Sequence, residues 1–134
     1  MPTRVKICGI TRPEDGLAAA AAGAHAVGLV FHPASPRCVS IAKARAIVAA
    51  LPPLVSVVGL FVDAAEGGIR EVLAQVPLDL IQFHGAEPSP DCRRFGRRYL
   101  KALHARPGVD LAAGAAPYDD AAGLLLDAFV PGVP

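Results

Sequence analysis

The stretch from Arg4 to Phe31 reads RVKICGITRPEDGLAAAAAGAHAVGLVF, two aliphatic runs either side of an Ala-rich segment. Arg4 to Cys8 predicts a strand, and Ala26 to Phe31 predicts a second. Between them, Thr11-Arg12-Pro13-Glu14 has the form of a capping box. In that box the Thr11 hydroxyl accepts from the backbone at Glu14 while the Glu14 carboxylate reaches back. Gly23 supplies a left-handed stop. Strand, helix and strand at this spacing make a βαβ unit, and its two strands run parallel because the crossover helix returns the chain to the same end of the sheet.

The pattern repeats for five complete rounds and the start of a sixth, with no linker between them. Further strands are predicted over Val55 to Val62, Leu78 to Phe83, Tyr99 to Leu103 and Leu124 to Ala128. Ser40 caps a second helix whose apolar positions Ile41, Ala44, Ile47, Val48 and Leu51 recur at helical spacing, and Pro52-Pro53 ends it. A third runs from about Glu66 to Gln75, its start weakened by Gly67-Gly68. Ser89-Pro90 opens a short fourth that stops at Gly96, and a fifth is expected around Val109 to Ala115. The expected class is α/β, with about six parallel strands and five helices in one domain over residues 1–134.

At 53% hydrophobic residues, the 134-residue chain has ample material for a core. Leu17 to Phe31 is almost wholly apolar but too short to span a bilayer, and the N-terminal charges lack a secretory pattern. A soluble, cytoplasmic protein is expected. Thirteen basic and twelve acidic residues give a formal charge of +1, so no global field recruits nucleic acid or anionic lipid. The one basic cluster, Arg93, Arg94, Arg97, Arg98 and Lys101, reads as a solvated helix face running into a strand. Three cysteines, Cys8, Cys38 and Cys92, disfavour a disulfide framework and a zinc site.

Strand residues two apart share a face. Lys6 pairs with Cys8 in this way, Gln82 with His84, and Leu125 with Asp127. Each pair sits at the C-terminal end of its strand, where parallel α/β architectures build ligand sites. Cys8 is either a small buried hydrophobe or a thiol whose ionisation a cationic Lys6 would favour. Asp127 is a ligand-facing carboxyl or a cap for a following helix. Arg37 is a carboxylate-binding fork or a surface loop arginine, and His84 lines the pocket or bonds the backbone. His25, His32 and His104 have no constellation around them, and no spacing among the four histidines suggests a metal site.

Lys6-Ile7-Cys8-Gly9-Ile10-Thr11 closely resembles the opening signature of the phosphoribosylanthranilate isomerase family. The likeness continues through Ser35-Pro36-Arg37 in the second loop, Gly59-Leu60-Phe61-Val62-Asp63 at the third strand end, Gln82-Phe83-His84-Gly85-Ala86-Glu87 at the fourth, and Leu124-Leu125-Leu126-Asp127 at the sixth. The resemblance implies a (β/α)8 TIM barrel and an Amadori rearrangement of N-(5′-phosphoribosyl)anthranilate in tryptophan biosynthesis, with no cofactor or metal. Carried over by position, Cys8 is the general base and Asp127 the general acid. Arg37 meets the anthranilate carboxylate, with Gln82, His84 and Lys6 also binding substrate. An acid must be protonated, and Leu124, Leu125, Leu126 and Phe129 are expected to supply the apolar surround that raises its pKa.

Such barrels typically take about 250 residues and build their phosphate site after strands seven and eight. The chain is therefore expected to be a partial barrel lacking the last two βα units, with Phe129 to Pro134 at the start of the phosphate loop. Unpaired strand edges would then favour self-association or a complementing polypeptide. A catalytically silent scaffold is the alternative to an isomerase. An open nucleotide-binding sheet is weaker, because no Gly-x-Gly-x-x-Gly run follows the first strand.

Overall fold

The structure, a computed structural model, describes residues 2–128. Six strands form one parallel sheet: β1 (Lys6–Cys8), β2 (Ala26–Val30), β3 (Ser56–Phe61), β4 (Leu80–Phe83), β5 (Tyr99–Ala105) and β6 (Gly123–Ala128). Their spatial order equals their chain order. Helices α1 (Pro13–Ala21), α2 (Ile41–Ala50), α3 (Glu66–Gln75), α4 (Ser89–Arg93) and α5 (Leu111–Ala115) connect them, with a 3-10 turn over Ala116–Tyr118. The strands make a half-barrel, as the repeated βα pattern predicts.

The pleat sorts each strand into two faces. Val27, Leu29, Val57, Phe61, Ile81, Phe83 and Tyr99 point outward and join Ala44, Ile47, Ile69 and Val72 from the helices in one core. Fully burying a side chain of this size stabilises by about 1.5–3 kcal/mol, so this outer layer is where most of the fold's stability resides. The opposite face carries Lys6, Cys8, Gln82, His84, His104 and Asp127. Outward residues at the two ends are not covered: Leu124 and Leu126 on β6 are 47% and 64% exposed, and Val5 and Ile7 are 43% and 41% exposed. Among the described residues no helix is long and apolar enough to cross a membrane.

Most end signals act as read. The Ser40 side chain accepts from Lys43 N–H at the start of α2. Gly23 takes φ +96° just past α1. The capping box at α1 does not form. The helix begins at Pro13, its N-cap is Arg12 in extended conformation, and no side chain caps it. Pro13 fixes the first helical φ and holds its predecessor extended, which leaves Thr11 one residue outside the cap position. Arg12 instead reaches forward to Asp15, at 3.0 and 2.9 Å.

Candidate active site

Cys8 ends β1, and Gly9 turns the chain away at φ +84°. Both N–H groups of the exit are satisfied, since Gly9 and Ile10 donate to Gly28 O at 2.9 and 3.1 Å. The Cys8 sulfur lies over Gly28, where an added Cβ would stand 2.9 Å from Sγ. Arg37 comes from the loop after β2, which folds back through Ser35 N–H to His32 O and Cys38 N–H to Ser35 O. Its Nη1 donates to Cys8 O at 3.1 Å. An added Cβ at Gly9 would meet Nη1 at 2.4 Å. Glycine is therefore required at position 9 by its backbone angle and by the guanidinium resting on it.

A polar series crosses the inner face from β1 to β6. Lys6 Nζ donates to Gln82 Oε1 on β4, two strands beyond its neighbour in the sheet. Gln82, 1% exposed, places Nε2 3.0 Å from His84 Nδ1. His84 Nε2 lies 3.0 Å from Asp127 Oδ2. Because Gln82 offers its oxygen to the amine, its amide N–H faces His84. The histidine Nδ1 then accepts, and the ring proton sits on Nε2, directed at Asp127. Burial pulls the Lys6 amine below the ordinary lysine value, partly offset by the Cys8 charge beside it.

Cys8, Lys6, Gln82, His84 and Asp127 thus share one face, with Arg37 at its rim. Two expectations are corrected. Leu124 and Leu126 point away from Asp127 by strand alternation and give it no apolar surround, which leaves Leu125 as the one of the three leucines on its face. Phe129, named for the same purpose, lies outside the described residues, as does the expected start of the phosphate loop. Asp127 is 42% exposed and stands between two imidazoles, with His104 Nδ1 3.7 Å from the same oxygen. His104 consequently belongs to a constellation: β5 runs on to Ala105, which pairs His104 directly with Asp127. His25 has the structural role expected of it, accepting from Val5 N–H at 3.0 Å.

The basic cluster is also not one solvated face. Lys101 is 3% exposed and pairs with Glu87 at 3.0 Å. Glu87 accepts from Gly85 N–H at 2.9 Å and from Asp63 N–H at 3.0 Å, and Lys101 donates to Gly85 O at 2.6 Å. Ala86 N–H donates to Asp63 Oδ1 at 2.8 Å. This buried group fixes the loop that follows His84. The sequence did carry a signal for it, a lysine inside the aliphatic run Tyr99-Leu100-Lys101-Ala102-Leu103.

The sequence profile of the N-(5'phosphoribosyl)anthranilate (PRA) isomerase family matches residues 5–133. Named N-(5'-phosphoribosyl)anthranilate isomerases from Azotobacter vinelandii and Pseudomonas aeruginosa are each 60% identical over 131 residues, covering 98% of this chain and 64% and 62% of the relative. The crystal structure of phosphoribosyl anthranilate isomerase from Thermotoga maritima superposes with a TM-score of 0.91 at 39% identity, covering 98% of this chain and 64% of that one. Another such isomerase, solved with reduced 1-(o-carboxyphenylamino)-1-deoxyribulose 5-phosphate, superposes with a TM-score of 0.88 at 40% identity, over 96% of this chain and 66% of that one. The chain spans a little under two thirds of the length of these curated relatives.

Proposed function

Because the chain belongs to the N-(5'-phosphoribosyl)anthranilate isomerase family, we propose that it carries the acid and the base of that Amadori rearrangement, in cytoplasmic tryptophan biosynthesis. Protonated Asp127 gives its proton to the furanose ring oxygen, the C1–O bond breaks, and an iminium forms at the anthranilate nitrogen. The Cys8 thiolate removes the proton from the second sugar carbon, and the released pair neutralises the iminium as an enolamine, which tautomerises to the ketone. His84 Nε2 lies 3.0 Å from Asp127 Oδ2 and donates to it, which orients the carboxyl group, while the 42% exposure of Asp127 lets the acid take its proton from solvent. Arg37, anchored on Cys8 O, turns the rest of its fork to the substrate carboxylate.

The observation that carries this reading is the side-chain series from Lys6 to Asp127. It joins Lys6, on the same side of β1 as Cys8, to Asp127 on β6, which supports sulfur and carboxyl acting on the same face of the sheet. A catalytically silent segment is the second reading, favoured by the chain's limited span of its relatives. Substrate consumption followed by fluorescence, with and without a polypeptide carrying the relatives' remaining βα units, decides between them. In the active form Cys8→Ser and Asp127→Asn should each lower kcat by at least ~100-fold with little change in KM. Unaltered turnover in either variant removes its assigned role, and no turnover in any combination favours the silent scaffold.

A further inference from the structure

His84 just past β4, His104 near the end of β5 and Asp127 near the end of β6 bring one ligand atom each to within 4.8 Å of the others. His104 Nε2 donates to His84 O at 3.1 Å, so its Nδ1 is left with a lone pair, 3.7 Å from the carboxylate oxygen of Asp127. Two acceptors facing each other at that distance are relieved by a positive centre between them, a proton or a metal ion. The rings of His84 and His104 stand nearly perpendicular, at 81°, and aim toward the same carboxylate rather than stacking face to face. A backbone or side-chain bond to the non-ligating nitrogen is how metal-binding histidines are commonly oriented.

We propose that these three side chains form a site for a divalent metal of the zinc class, a binding function beyond the isomerase reading that shares Asp127 and His84 with it. Two imidazole nitrogens and one carboxylate oxygen are a borderline donor set, which suits Zn2+ and Co2+ better than Mg2+ or Ca2+. Zinc bonds of about 2.0–2.2 Å require the three donors to draw together by roughly an ångström, which partly exposed side chains at a strand rim allow. Side-chain exposures of 23%, 37% and 42% for His84, His104 and Asp127 leave the remaining positions to water. Binding displaces the His84 Nε2 proton, and the Gln82 amide must turn to accept from Nδ1, which gives up its bond from Lys6. If Asp127 is the acid of the rearrangement, an ion on its oxygen excludes the proton, and the metal is an inhibitor.

Co2+ titrated into the metal-free purified chain tests the site without any turnover assay. Saturable 1:1 binding is expected, with visible d–d bands of nitrogen and oxygen ligation, no sulfur charge-transfer band, and displacement by Zn2+. His104→Ala and the conservative Asp127→Asn should each weaken Co2+ binding by at least ~tenfold, while His25→Ala leaves it unchanged. Circular dichroism of each variant separates lost binding from lost fold. A sulfur charge-transfer band would move the metal to a cysteine and overturn the proposal. So would unchanged affinity in folded His104→Ala or Asp127→Asn protein, or the absence of saturable binding.

Discussion

At Gly9 one missing methyl group serves both the backbone and a neighbour. Gly9→Ala should lower unfolding free energy by about 1–2 kcal/mol, because a Cβ at φ +84° is strained and meets the Arg37 side chain. Combining it with Arg37→Ala should cost less than the sum of the single changes, a coupling that a urea double-mutant cycle reads. Lys101→Met leaves Glu87 buried without its counter-charge, so about 3–5 kcal/mol should be lost, and less when Glu87→Gln accompanies it. Cys92 is fully buried, and burial pushes its thiol up to about 11. Mass spectrometry after brief alkylation of the native chain should find Cys8 and Cys38 modified ahead of Cys92. Single residues were legible in the sequence where strand alternation alone decides their direction, as for Lys6, Cys8, Gln82 and Asp127. What surrounds them was not, since the imidazoles beside Asp127 arrive from other strands.

Individual elements follow their end signals closely enough for the exceptions to be instructive. Ser40→Ala should cost about 1 kcal/mol, because its oxygen accepts from Lys43 N–H. Thr11→Ala should stay within about 0.5 kcal/mol of the parent in thermal unfolding, because α1 starts too late for Thr11 to cap it. All six strands and five helices were legible, their ends less so. The run from Leu78 was expected to be strand throughout, yet the ladder starts at Leu80, and Asp79 Oδ2 accepts from Val57 N–H at 2.7 Å instead. β5 errs the other way: its pairing with β6 carries it past Leu103 to Ala105. A register between two strands cannot be read from one of them, and this is why His104 looked isolated in the sequence.

For the molecule as a whole, what matters is which surfaces the sheet leaves uncovered. Among the described residues β1 and β6 each bond one neighbouring strand only, and Leu126 stands 64% exposed on the outer face of β6. Such an edge with apolar flanks promotes association. Sedimentation of the 134-residue chain should therefore show concentration-dependent self-association. Leu126→Lys should reduce it while changing monomer stability by no more than about 0.5 kcal/mol.

The line of side chains from Lys6 through Gln82 and His84 to Asp127 is a chord drawn across an arc of strands. Its two joints, at Gln82 and at Asp127, fix how far the ends of the arc can spread. Flattening the sheet would stretch the chord and pull both joints open, leaving the deeply buried Gln82 amide short of a partner. The bend is thus braced from within by side chains that join β1 to β4 and β4 to β6.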